Sequence, residues 1–170
     1  MVIDAGFLRI GHRTIATPTG SEVDRIVVAH PGAVAVVPRI GDHVVLVKQY
    51  RAAVDSVVLE IPAGKLDRQG EEPREAAHRE LTEETGYTAH RLVHLTDLLT
   101  SVGFSDERIS IYLATDLVTG EPQPVGEEEV AAEIITMLWS DALDAVVRGT
   151  ITDAKTVAGI LLAEHHRGTS

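Results

Sequence analysis

Residues Glu60–Tyr87 read EIPAGKLDRQGEEPREAAHRELTEETGY, and the fold turns on this stretch. Pro73 suits a first helical turn, Glu71 and Glu72 suit the positive end of a helix dipole, and Gly86 suits a C-terminal stop. The spacing predicts a helix from Pro73 to Thr85. Six of the fourteen residues from Glu71 to Glu84 are glutamate. The plain reading is a solvated face with intrahelical ion pairs, but the helical wheel speaks against it. At ~100° per residue from Pro73, Ala77 falls near ~40° and Leu81 near ~80°, while Glu84 falls near ~20° and Glu80 near ~340°. Glu80 and Glu84 therefore border the apolar side, and Arg79, Thr82 and Glu75 take the outer side. Carboxylates at i, i+3 and i+4 beside a core repel one another and resist desolvation. Hard divalent cations relieve both penalties, and an all-oxygen donor set favours Mg²⁺ or Mn²⁺ over zinc or copper.

Working outward, the N-terminal thirty residues predict two strands, Phe7–Thr14 and Glu22–Ala29, with Pro18-Thr19-Gly20 as their turn. Gly32–Val37, closed by Pro38, and His43–Tyr50 read as strands joined by Gly41-Asp42. Val57–Ile61 is a further short strand. Beyond the helix come strands at Leu92–Leu99 and Ile109–Leu117, separated by the loop Thr100–Arg108. A loop rich in proline and glutamate, Gly120–Glu129, precedes a last strand at Ile134–Trp139. Two helices follow, Asp141–Arg148 capped by Ser140 and Ala154–His166 capped by Asp153. Many strands and about three helices without regular alternation give the class α+β.

The composition bounds the function. The chain has 170 residues, 44% hydrophobic and 24% charged, as expected of one globular domain. A net charge of -11 disfavours nucleic-acid binding, which needs cationic surface. There is no cysteine, which removes disulfides, thiolate metal sites and cysteine nucleophiles. No apolar run approaches the ~20 residues of a membrane span. Asp4 and the lack of a basic segment followed by an apolar one predict no signal peptide and a cytoplasmic protein. The eight histidines show no ligand spacing on the predicted helices, and His165-His166 reads as a solvated helix end.

The Glu60–Tyr87 stretch resembles the signature of the Nudix hydrolase family. That signature is a glycine, five residues, a glutamate, seven residues, Arg-Glu, an aliphatic residue, any residue, Glu-Glu, any residue, Gly and an apolar residue. Gly64, Glu71, Arg79, Glu80, Leu81, Glu83, Glu84, Gly86 and Tyr87 match it. Six residues rather than five separate Gly64 from Glu71; the extra one falls in the polar loop Lys65–Gly70, where insertion is tolerated.

The resemblance implies an α/β/α sandwich around a mixed sheet, with residues 1–30 as an N-terminal β extension and 31–170 as the Nudix domain. By that analogy Glu80, Glu83 and Glu84 are metal ligands, joined by the carbonyl of Ala63, and Glu71 and Arg79 fix the carboxylates' geometry. The cation, Mg²⁺ or Mn²⁺, would serve attack by water on a nucleoside diphosphate linked to another group. The catalytic set is then Arg79, Glu83 and a general base, Glu128 or Glu129, from the later acidic loop.

Within the family, His30–Val37, Val47–Val54, Leu59–Asp67 and Ser101–Glu107 are similar to ADP-ribose and sugar-nucleotide pyrophosphatases. That likeness makes Arg51 and Glu60 candidates for substrate binding; Phe104 and Glu107, in the substrate-side loop, are further candidates, and Phe104 or Tyr50 could stack on a base. The proline usual in ADP-ribose enzymes is absent near Val102 and Gly103, which keeps GDP-mannose or another sugar nucleotide as an alternative. A non-catalytic nucleotide-sensing module is the alternative of another class. Similar enzymes are homodimers whose N-terminal strands reach the partner, so the first thirty residues are either such an arm or an extra hairpin on the same sheet.

Overall fold

The computed structural model describes residues 3–123 and 131–168. In chain order the strands are β1 (Ile3–Ala5), β2 (Leu8–Ala16), β3 (Glu22–Ala29), β4 (Ala33–Ile40), β5 (His43–Arg51), β6 (Ser56–Glu60), β7 (Ala63–Lys65), β8 (Tyr87–Leu99), β9 (Arg108–Thr119) and β10 (Glu133–Leu138). The helices are α1 (Pro73–Thr85), α2 (Trp139–Val147) and α3 (Ala154–Gly168). A short 3₁₀ turn spans Ala52–Val54.

The main sheet is mixed. Its path is β10-β5-β4-β9-β8, with β6 on β5 and β7 on β4. Only β4 and β9 run parallel among its pairings. Both central strands are buried on both faces, and the period of two divides their side chains between two cores. Ala33, Ala35 and Val37 of β4 and Ile109, Ile111 and Leu113 of β9 join the core beneath α2 and α3. Val34, Val36, Tyr112 and Ala114 join the core beneath α1. The result is the α/β/α layering expected of the chain.

One irregularity positions the site. β4 pairs with β5 only at Arg39 and Ile40, and with β7 at Ala33–Ala35. Between these ends the strands part, and the Val36 N–H donates to the Pro62 carbonyl at 2.9 Å. The opening brings the end of β5, β7 and the start of α3 around one cleft.

Three expected boundaries shift. β4 runs through Pro38 instead of stopping there. The missing N–H at Pro38 shares the side of the Val36 N–H, where pairing to β5 begins only at Arg39, so no ladder bond is lost. The strand after α1 starts at Tyr87 rather than Leu92, because the turn at Gly86 delivers the chain directly into it. Ser140 is not the cap of α2. That helix starts at Trp139, whose N–H donates to the Asp42 carbonyl at 2.8 Å and whose side chain is buried in the core.

β1, β2 and β3 form a separate antiparallel sheet. A parallel bridge between Val28 and Ser105 joins it to the loop before β9. The Val28 N–H donates to the Phe104 carbonyl at 2.7 Å, and the Asp106 N–H donates to the Val28 carbonyl at 3.3 Å.

Helix α3 approaches the sheet closely at Gly159. A Cβ there would stand 2.9 Å from Val37 Cγ2 and 3.1 Å from Ile61 Cδ1. Gly159→Leu overpacks this contact and is expected to cost about 1–3 kcal/mol, read as a lower urea midpoint with an unchanged slope.

Candidate active site

Helix α1 is set by its ends. Glu72 and Glu75 form a reciprocal capping box, with Pro73 at the first helical position, satisfying N–H groups that the helix itself leaves unpaired. Gly86 ends it at φ 75°. A Cβ on Gly86 would lie 2.7 Å from the Gly120 carbonyl oxygen, so both conformation and space require glycine. Ala76, Ala77 and Leu81 are fully buried, and this anchorage turns Glu80 inward to 6% exposure.

The signature glycine has a spatial reason here. A Cβ on Gly64 would sit 2.0 Å from Glu80 Cδ, so only bare backbone lets β7 and this carboxylate share the space. Beside it, the Ala63 N–H donates to Glu84 Oε2 at 3.3 Å.

Arg79 organises the remaining carboxylates. It donates from Nε and Nη2 to the two oxygens of Glu71, both at 2.8 Å. Its Nη1 reaches Glu80 at 2.6 Å and Glu83 at 3.0 Å. Arg68 holds the other Glu83 oxygen at 3.0 Å. The wheel put Arg79 on the outer side, and this is corrected: the long side chain folds back and is 14% exposed. The bonds from Glu71, Glu80 and Glu83 raise the Arg79 pKa further above its ordinary value against the effect of burial, and the Arg79 bond holds Glu71 below the usual carboxylate range.

A cationic wall faces this acidic one. Glu60, 2% exposed, accepts a fork from Arg51 at 2.7 and 2.8 Å. Lys155, at the start of α3, donates to the same carboxylate and to Asp153, the latter at 3.0 Å. Asp153 caps α3 as expected, accepting from the Thr156 N–H and hydroxyl. Burial pushes the Glu60 carboxyl up, but the bonds and charges of Arg51 and Lys155 outweigh it and hold the group below its ordinary value.

The two walls line one cleft of about 710 Å³. Its lining includes Ala63, Gly64, Arg79, Glu80, Glu83 and Glu84 on one side and Arg51 and Lys155 on the other. Phe7, His30, Lys65 and Glu107 also line it. Lys65 Nζ stands 4.3 Å from the Phe7 ring centre, in cation–π range.

Phe104 does not line the cleft. It is 57% exposed, and its carbonyl serves the seam with β3. Tyr50 is likewise outside the lining, with its hydroxyl donating to Asp55 at 2.7 Å. Glu128 and Glu129 lie outside the described residues.

Lys155 and Phe7 escaped the sequence reading. Lys155 carried a usable signal: a cation in a helix's first turn opposes the dipole, so it needs a carboxylate nearby. Phe7 carried none, because its neighbours in space are remote in sequence.

All candidate cation donors are oxygen: Glu80, Glu83, Glu84 and the Ala63 carbonyl. That chemistry fits a hard divalent ion. Among the described residues, no group of three His, Asp or Glu side chains forms a ready metal site; Arg79 and Arg68 span Glu80 and Glu83 instead.

A family model for the NUDIX domain matches residues 29–158. The chain belongs to the NUDIX family. An ADP-ribose pyrophosphatase from Bacillus subtilis (strain 168) is 41% identical over 147 residues, covering 86% of this chain and 79% of that one. A methanol dehydrogenase activator from Bacillus methanolicus is 39% identical over the same length, with the same coverage of each chain. The crystal structure of an ADP compounds hydrolase superposes with a TM-score of 0.80 at 24% identity, over 100% of this chain and 92% of that one; it shares the NUDIX fold. Among the described residues, no helix is long and apolar enough to cross a membrane.

The depressed Glu60 pKa has a definite sign. Folding favours its ionised form, so the contribution is whole above the ordinary carboxylate value of 4.5 and fades as pH falls through the lower folded value. Glu60→Gln is expected to lose about 1–3 kcal/mol near neutral pH. In urea titrations the gap from wild type should narrow below the ordinary carboxylate value; a gap independent of pH would contradict the assignment.

Proposed function

We propose that the chain hydrolyses the diphosphate bond of ADP-ribose to AMP and ribose 5-phosphate. The observation that carries this reading is the pairing, across one NUDIX cleft, of a carboxylate wall with a cationic wall. A diphosphate needs both a seat for its charge and a site for the ion that neutralises it. Similarity to the Bacillus subtilis ADP-ribose pyrophosphatase supports this choice of substrate.

Arg51 presents a planar fork suited to phosphate oxygens and is 37% exposed, so it remains accessible while Glu60 holds its other edge. Lys155 adds a second cation to the same wall. Glu80, Glu83, Glu84 and the Ala63 carbonyl would hold Mg²⁺ or Mn²⁺. When bound, that ion supplies Lewis-acid neutralisation of the diphosphate and activation of water. Arg79 and Glu71 keep the carboxylates oriented. Glu128 or Glu129 takes the proton as the water oxygen bonds to phosphorus and the bridging P–O bond breaks. Phe7 offers a face for the nucleobase, and Glu107 a hydrogen-bond acceptor for the substrate's hydroxyl or amino groups.

The protein acts as a homodimer in this reading. Ile3 and Ile26, which the pairing register puts on one face of the N-terminal sheet, leave large apolar surfaces exposed there, and a second copy would cover them. Light scattering should return the mass of two chains, and deletion of residues 1–29 should shift it to one.

A nucleotide-binding regulator is the second reading, favoured by the relative named as an activator. The two separate on one assay. ADP-ribose, GDP-mannose and other sugar nucleotides are incubated with and without Mg²⁺ or Mn²⁺. Hydrolysis is expected only with the ion, and with ADP-ribose turned over fastest. Glu84→Gln should lower kcat by about a hundredfold or more with an unchanged circular dichroism spectrum. Glu128→Gln and Glu129→Gln, made separately, identify the base as the one that loses about 10²–10⁴-fold. Absence of turnover on every compound would favour the regulator.

A further inference from the structure

His30 joins three separate parts of the chain. Its backbone N–H donates to Asp106 Oδ1 at 2.9 Å. Its ring Nδ1 accepts from the Gly32 N–H at 3.0 Å. Its Nε2 faces Glu107 Oε1 at 3.5 Å. The Phe7 ring, from the turn between β1 and β2, meets the imidazole edge-on with centres 5.4 Å apart. The histidine side chain is 10% exposed and lines the cleft.

These bonds determine the tautomer. A backbone N–H can donate only to a ring nitrogen that carries no proton, so Nδ1 is the acceptor and Nε2 carries the hydrogen. The imidazole therefore presents a donor to Glu107. The other Glu107 oxygen accepts from the Thr100 hydroxyl at 2.5 Å. The carboxylate thus accepts a hydrogen bond from the loop's own Thr100 on one oxygen and faces, at 3.5 Å on the other, the imidazole of a histidine at the exit of the N-terminal sheet.

We propose that His30 is a positioning residue that holds the Glu107 carboxylate in its binding orientation through Nε2–H while Gly32 fixes the ring. The role rests on the reading that Glu107 contacts the substrate. It assigns to the end of β3 a part in substrate affinity without direct contact with the reacting atoms.

The two ring nitrogens can be tested separately. Asn at position 30 keeps an acceptor for Gly32 but removes the donor to Glu107; Gln keeps a donor near the Nε2 position. Steady-state hydrolysis of ADP-ribose with saturating Mg²⁺ is measured for His30→Asn, His30→Gln, Glu107→Gln and the Asn/Gln double variant. Glu107→Gln is expected to raise KM about tenfold or more, His30→Asn about three- to tenfold with kcat within about twofold, and His30→Gln less than about threefold. The double variant should match Glu107→Gln alone, because the histidine acts through that carboxylate.

Equal KM increases in the Asn and Gln variants, or a full His30→Asn effect persisting in the Glu107→Gln background, would overturn the role. So would an unchanged KM in His30→Asn while Glu107→Gln raises it, which leaves the Glu107 reading intact. An unchanged KM in Glu107→Gln removes that reading and the inference together. If His30→Asn does not fold, His30→Gln decides alone: a KM more than about threefold above wild type overturns the proposal, and a smaller change supports it.

Discussion

Everything in the cleft depends on one arginine satisfying three carboxylates at the edge of a core. Glu71, Glu80 and Glu83 stand close together on and beside α1, and Glu80 is almost wholly buried. Carboxylates so placed repel each other and lose hydration. Arg79 answers both costs with four hydrogen bonds, two of them a parallel fork to Glu71. Its planar donor array makes this geometry possible where a lysine would not. The same bonds orient all three carboxylates and hold Glu71 below its usual range.

The opposite wall repeats the arrangement with the signs exchanged. There one buried anion, Glu60, gathers two cations from distant elements, Arg51 at the end of β5 and Lys155 at the start of α3. Breaking either contact would leave a poorly hydrated charge, so the pairings tie α3 to the sheet as well as shaping the cleft. The Thr156 hydroxyl reinforces the joint by accepting the Ile61 N–H at 2.8 Å. Each wall is internally compensated, yet together they present separated charge to one volume. The divergence of β4 from β5 makes the room for this. A strand pairing continued along β4 from Arg39 to Ala33 would close it.

What was legible in the sequence was local. Helix α1 runs from Pro73 to Thr85 as expected because its limits rest on a proline, a capping box and a glycine, all within a few residues. The inward aim of Glu80 was legible because Ala77 and Leu81 mark the buried side. Arg79 was misplaced because a wheel records where a side chain leaves the helix, and a long guanidinium travels far enough to fold back to Glu71, which precedes the helix. Phe7 and the His30–Glu107 contact were beyond a linear reading, since their partners lie far along the chain; the position of Lys155 announced a nearby carboxylate but not that Glu60 would be one of its partners. Phe104 was read as a substrate contact from its place in the loop, but loop position alone does not say which side chain faces the cleft.

The missing proline near Val102 can be weighed in the same physical terms. A proline stiffens a loop by fixing one backbone angle, whereas here the segment from Thr100 to Glu107 is held by bonds at many points. Val28 receives the Asp106 N–H and the Ser105 hydroxyl on its carbonyl and donates its own N–H to Phe104. Asp106 accepts from the His30 N–H, and Thr100 closes the loop onto Glu107. The constraint here is a seam between the loop and the N-terminal sheet rather than a ring within the loop. Its consequence is a dependence: the loop that brings Glu107 to the cleft is held by β3 and His30, so the N-terminal sheet helps shape the cleft.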